Sequence, residues 1–197
     1  MKFIAHRGLW GKQVKENSYE AIKNGLESNK YIGIETDVRV TKDNIFIIYH
    51  DILYKGKLVK NVLYKDIKKD AIRLKDVLSI KTSKIILLEI KDFNINVNKL
   101  IKLIDKYNSN VYIMSFDNRV IKRIKNITNK YKLGVLNYIL NSESNYDLDF
   151  ICILDVINSE VIMDSFKKRG IDVIIYGVNK VSGDYTYIID DCKIKGN

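Results

Sequence analysis

Short apolar runs alternate along this chain with longer segments of helical period, and that alternation limits the fold more than any other feature. The runs are Phe3–Ala5, Ile32–Val38, Ile45–Tyr49, Ile85–Ile90, Val111–Met114, Leu133–Leu136, Phe150–Leu154 and Val173–Tyr176. Helices are expected over Ser18–Asn29, Leu74–Ile80, Asn96–Tyr107, Asn118–Lys130 and Ser159–Arg169. In NVNKLIKLIDKY, for example, Val97, Leu100, Ile101, Leu103 and Ile104 fall on one face, and SEVIMDSFKKRG closes with a basic turn and a glycine. Strand, helix, strand in repetition requires a parallel sheet, because a parallel neighbour is reached only by a crossover. Eight runs predict a compact α/β fold of the TIM (β/α)8 barrel type, one domain over residues 1–197. A doubly wound open sheet is the competing architecture, but no run is followed by a glycine-rich phosphate loop. One link is irregular. Between Val38 and Ile45 there is no room for a helix, so those runs turn tightly around TKDN and can pair as a hairpin.

A parallel barrel gathers its chemistry at the C-terminal ends of its strands. Reading each run to its end gives His6-Arg7, Glu35-x-Asp37, His50-Asp51, Glu89-x-Lys91, Ser115-Phe116-Asp117 and Val178-Asn179. Side chains alternate along a strand, so Glu35 and Asp37 share one face of IETDV while Ile34, Thr36 and Val38 share the other. LLEIK repeats the pattern with Glu89 and Lys91. Carboxylates crowded on one rim repel and lose hydration unless cations or donors compensate. Glu35, Asp37 and Glu89 therefore make an oxygen-ligand site for a hard divalent cation, Mg2+ or Ca2+, or else a salt-bridge cluster with Lys91, Arg39 and Arg7. Zinc is the weaker candidate, since neither HxH nor HExxH spacing occurs.

Only two histidines exist in the chain, His6 and His50, and both sit at that rim beside carboxylates. Imidazole titrates near neutrality and suits a general acid and a general base, and a neighbour such as Asp51 can fix the tautomer of a ring. Arg7 offers a planar fork for two phosphate oxygens and Lys91 a point charge. A divalent cation, an arginine, a lysine and two acid–base histidines together describe phosphoryl chemistry.

Composition narrows the partners. The net charge of +10 suits a solvated lysine-rich surface or attraction to phosphate esters or a membrane surface. Nucleic acid is not expected, because acidic residues interrupt the lysines, as in YKDIKKDAIRLKD. Cys152 and Cys192 lack metal-ligand or CxxC spacing and read as core or incidental thiols in a reducing compartment. His6 and Arg7 interrupt the only candidate for a signal-peptide core, and no apolar stretch is long enough to span a membrane. A cytoplasmic protein is the expectation, and no feature specifies an oligomer.

AHRG, ENSYEAIKNGL, GIETDVRVTKDNIFIIYHD, LEIK, SFD and GVN, in this order, resemble the motifs of the glycerophosphodiester phosphodiesterase family over about residues 3 to 191. The resemblance implies a TIM barrel that hydrolyses a small phosphodiester to glycerol phosphate and an alcohol. Carried over by position, Glu35, Asp37 and Glu89 would bind the metal, His6 and His50 would be the catalytic acid–base pair, and Arg7 and Lys91 would hold phosphate. The family's scheme has the glycerol 2-hydroxyl attack phosphorus, giving a cyclic phosphate that water opens. Several positions depart from the pattern. Lys15 stands where proline is usual, Tyr176 and Gly177 replace a tryptophan and a threonine, and the terminal GIITDYP survives as YIIDDCK. Asp51 and Glu89 are only 38 positions apart, so the insertion after the third run is shortened. That shortening predicts a more open mouth, suited to a bulkier or polymer-attached alcohol. Alternatives are a phospholipase of C or D type on a related barrel, or a barrel that only binds phosphorylated glycans or lipids.

Overall fold

Runs rich in Ile, Leu and Val form the strands of a computed structural model that describes residues 1–107, 110–138, 147–157, 159–178, 181 and 183–190. The barrel strands are β1 (Lys2–Ala5), β2 (Gly33–Val40), β3 (Ile85–Ile90), β4 (Asn110–Ser115), β5 (Lys132–Asn137), β6 (Phe150–Leu154), β7 (Asp172–Tyr176) and β8 (Thr186–Ile189). All neighbours in the ring are parallel, and β1 pairs with both β8 and β2, so the sheet closes on itself. Helices α1 (Tyr19–Glu27), α2 (Leu74–Leu78), α3 (Val97–Ile104), α4 (Asn118–Lys125) and α5 (Glu160–Lys168) occupy links between the strands. Side chains of Ser18, Asn96, Asp117 and Ser159 accept backbone N–H bonds at the starts of α1, α3, α4 and α5, satisfying donors that a helix otherwise leaves open.

The barrel is therefore the predicted one, but one of its predicted strands is replaced. Phe46–Ile48, within the third apolar run, folds back antiparallel on the end of β2, with Val38 opposite Ile48 and Val40 opposite Phe46. A link too short for a crossover can only return antiparallel. The eighth place in the ring belongs to Thr186–Ile189, which was not expected: its apolar run is short and polar residues flank it.

Alternation along each strand separates two cores. Ile4, Leu87, Met114, Phe150, Cys152 and Ile188 are among the side chains that fill the ring, while Ile34, Val38, Leu88, Ile113, Val120 and Phe166 belong to the layer against the helices. A side chain at Gly134 would place its Cβ 2.3 Å from the Phe150 ring, so this glycine admits the largest plug of the interior. The segment after His50 builds a small cluster of its own from Tyr54, Val59, Val62, Ile67 and Ala71, packed on Ile47. Cys192 and Asn179 lie outside the described residues; Cys152 is free and buried at the centre of the barrel.

Candidate active site

The parity that fills the ring continues past the strand ends and points the next side chains at the mouth. His6 follows Ile4, Glu89 follows Leu87, Phe116 follows Met114, and Asp190 follows Ile188. Glu35 and Asp37 turn inward from β2 and are buried at 1% exposure each, so their charges are met by protein rather than water.

The turn after β1 is shaped for this purpose. Arg7 and Gly8 both have positive φ, 56° and 83°, which swings the chain off the strand. The Arg7 backbone N–H then donates to Glu35 Oε2 at 3.1 Å. Its guanidinium donates to Glu16 Oε1 at 2.6 Å and lies 3.3 Å from Asp37 Oδ2 through Nε. Gly8 is required twice over: for its left-handed backbone, and because a Cβ would sit 2.5 Å from the Ala21 carbonyl carbon of α1. Asn17 Nδ2 donates to Asp37 Oδ2 at 2.7 Å, and Thr36 Oγ1 donates to Asn17 Oδ1 at 2.7 Å. Asn17 thus reaches the site, while Ser18 caps the helix.

Lys91 bridges the remaining carboxylates, with Nζ 3.1 Å from Asp37 Oδ1 and 2.7 Å from Glu89 Oε1. Among the described residues, Glu35, Asp37 and Glu89 are the group whose ligand oxygens all lie within 4.8 Å of one another. Glu35 Oε1 is buried without a hydrogen-bond partner. Three buried carboxylates facing two nearby cations, with one oxygen orphaned, fit a hard divalent cation, for which an all-oxygen donor set is the matching chemistry. Electrostatics agree. Burial, then the charges of Asp37 and Glu89, push the Glu35 carboxyl well above the glutamate range. Burial raises Glu89 as well, against the opposing pull of Lys91. Burial would also raise Asp37, but Lys91, Arg7 and the Asn17 hydrogen bond outweigh it and hold this carboxyl low.

Both histidines have carboxylate partners. His6 Nδ1 lies 2.6 Å from Asp190 Oδ1, and its Nε2 lies 3.7 Å from Glu35 Oε2. With the carboxylate accepting at Nδ1, the proton sits there and Nε2 faces the pocket. His50 Nδ1 lies 2.9 Å from Asp51 Oδ1 on the exposed side. His50 does not end a barrel strand. The returning arm of the hairpin delivers it, held by the Tyr49 N–H on the Asp37 carbonyl and by Arg39 Nε on its own carbonyl, both at 3.0 Å. Arg39 turns away from the carboxylate group and pairs with Asp92 at 2.8 Å.

Not every polar strand end joins the site. Ser115 donates to the Ile90 carbonyl at 2.7 Å and Asp117 caps α4, so both are structural. Phe116, Tyr138 and Tyr176 instead form an aromatic wall, the first two stacked at 4.6 Å and each edge-on to Tyr176 at 6.4 Å. A cavity of about 290 Å3 runs between His6 and Asp190 on one side and Leu154, Tyr176, Val178 and Ile188 on the other. Asp190, Glu16 and Asp92 were not singled out from sequence. Asp190 obeys the strand-end rule, but its strand had not been recognised.

The fold and the mouth define a (β/α)8 barrel with a buried carboxylate triad flanked by two histidine–aspartate pairs. The chain belongs to the glycerophosphoryl diester phosphodiesterase family, whose profile matches residues 6–196. It is 32% identical over 160 residues to a glycerophosphodiester phosphodiesterase of Caldanaerobacter subterraneus subsp. tengcongensis, a match covering 68% of this chain and 65% of that protein. A glycerophosphodiester phosphodiesterase from Parabacteroides distasonis superposes with a TM-score of 0.82 at 18% identity, covering 98% of this chain and 93% of its own. A phosphodiesterase from Oleispira antarctica, solved in complex with the product sn-glycerol-3-phosphate, superposes with a TM-score of 0.79 at 16% identity, covering 91% and 85%. At such identities the likeness of the two structures is one of fold.

Proposed function

We propose that this protein hydrolyses glycerophosphodiesters to glycerol phosphate and an alcohol, with Glu35, Asp37 and Glu89 holding a divalent cation, Mg2+ or Ca2+. The observation that carries this is the orphaned, buried Glu35 Oε1 inside a triad set between His6 and His50, in a chain of this family. When bound, the cation would neutralise the triad and draw charge from the phosphoryl oxygens. Arg7 and Lys91, already at the triad, supply the donors that hold phosphate. One histidine accepts the proton of the glycerol 2-hydroxyl as that oxygen attacks phosphorus, and the other protonates the departing alcohol. They exchange roles when water opens the resulting cyclic phosphate. The product complex of the Oleispira antarctica protein supports glycerol phosphate as the product class.

The mouth bears on the alcohol. Between His50 and β3 the chain builds a small cluster and the short helix α2, and the aromatic wall beside the pocket is open, with Tyr138 59% exposed. This favours alcohols larger than choline, such as the acylglycerol of lysophosphatidylglycerol or the remainder of a glycerol-phosphate polymer, alongside small diesters. A panel of glycerophosphocholine, lysophospholipid and glycerol-phosphate polymer, each assayed with and without EDTA, tests both points. Turnover that survives full chelation would remove the cation from the scheme. Strict preference for the small diester would remove the open-mouth argument.

A further inference from the structure

Ten large hydrophobic side chains are exposed among the described residues, and they are not scattered. Phe93, Phe116, Tyr138 and Val156 lie within three residues of the C-terminal ends of β3, β4, β5 and β6, and Ile52 and Leu53 lie two and three residues after His50. Six of the ten therefore sit on five loops around the catalytic mouth. Cations lie between them. The Arg119 guanidinium covers the Phe93 ring at 5.5 Å, Arg123 donates to the Phe93 carbonyl at 2.7 Å, and Lys55 and Lys57 are exposed on the hairpin that carries Leu53, Lys55 over the Tyr54 ring at 5.1 Å. Two acidic neighbours are engaged, Asp117 with Arg119 and Asp51 with His50, while Asp155 adjoins Val156.

We infer that this rim is a docking surface for an anionic phospholipid bilayer. Apart from Phe116 and Tyr138, which stack on each other, the apolar tips stand on separate loops with charged residues among them, unlike the continuous, shape-matched patch that a protein partner needs. A fluid interface conforms to such tips and pairs interleaved Arg and Lys with lipid phosphates. The net charge of +10 adds attraction at longer range. Docked in this way, the mouth faces the membrane, and a diester whose alcohol carries an acyl chain reaches the triad without leaving the bilayer. That last consequence rests on the hydrolase function proposed above; the docking itself does not.

The test is sedimentation with vesicles of phosphatidylcholine mixed with phosphatidylglycerol, and with phosphatidylcholine alone, at physiological salt. The wild-type chain is expected to pellet with the anionic vesicles only. The double variant Phe93→Ser/Val156→Ser should lower that partitioning by about tenfold or more, from the lost apolar burial. Its kcat on a soluble glycerophosphodiester should not change. Lys102→Gln/Lys106→Gln, which removes two exposed charges from α3 and its C-terminal end, should leave partitioning within a factor of about two. Wild type remaining in the supernatant overturns the inference. So does an equal loss in the two double variants, which would mean indiscriminate charge attraction. A dimer in size-exclusion chromatography that Phe93→Ser/Val156→Ser dissociates also overturns it, by making a second copy the occupant. A chain that pellets through the rim yet hydrolyses no diester would refute the hydrolase proposal and leave the docking surface standing.

Discussion

His6 and His50 carry the same side chain in different settings. His6 is held from below by Asp190, which is itself largely buried, whereas the His50 partner, Asp51, is 70% exposed. The buried pair fixes one tautomer; the exposed pair is screened and shares its carboxylate with water. Asp190→Ala is therefore expected to lower kcat by roughly ten- to a hundredfold with little change in KM, while Asp51→Ala has a smaller effect. Steady-state kinetics on glycerophosphocholine separate the two, and equal losses would contradict the distinction. Glu35 makes the opposite kind of prediction. Its folded pKa is raised, so its contribution to stability is complete below the unfolded value and is lost as pH rises through the folded one. In metal-free protein, Glu35→Gln should raise Tm by about 2–4 °C per kcal/mol of relieved repulsion, and more at pH 8 than at pH 5. The same substitution should abolish the Tm gain on adding Mg2+ or Ca2+. Thermal melts across pH, with and without the ions, check both statements.

Among the elements, the link from β1 to α1 carries the most function for its length. It contains the left-handed Arg7, Gly8 and Asn17, and two of these side chains touch Asp37. Strain of that kind costs of order 1–3 kcal/mol per residue and persists only where the surroundings impose it. Gly8→Ala should cost at least about 2 kcal/mol, because the methyl meets the α1 backbone and no side chain relaxes φ there. Denaturant unfolding measures the loss, and an unchanged midpoint would mean that α1 can shift. The sequence shows this element clearly in one respect and poorly in another. HRG at the end of an apolar run announces a turn with basic residues at the rim. The Glu16 partner of Arg7 depends on the link folding back on itself, and the contacts of Asn17 with Asp37 and Thr36 join separate segments; local pattern encodes neither. The hairpin was foreseen from link length alone, yet its strand was also counted in the ring, since an apolar run looks the same in parallel and antiparallel neighbours.

At the scale of the molecule, the barrel divides its mouth by chain order. The triad, both histidines, Arg7 and Lys91 come from residues 6 to 91, whereas the aromatic wall comes from β4, β5 and β7 and the residues that follow them. The charged half was legible because each carboxylate or histidine ends an apolar run. Of the aromatic half, Phe116 and Tyr176 stand out in the sequence but Tyr138 does not, because rings at strand ends resemble core residues until the packing shows them exposed. If the cation is part of the native enzyme, its removal should affect the whole molecule, since it neutralises a buried like-charge group. Saturating Mg2+ or Ca2+ should raise Tm by several degrees over an EDTA-treated sample, scaling with the logarithm of ion concentration. A flat response would leave Lys91 and Arg7 as the sole counter-ions of the triad.

His6 and Asp190 meet across the seam between β1 and β8, 184 positions apart in the chain. A ribosome makes the histidine 184 residues before the aspartate. A nascent chain stalled before Asp190 would already contain the triad, His50, Arg7 and Lys91, yet its first histidine would have no carboxylate to orient it. Competence for the chemistry would then arrive abruptly, as the ring shuts.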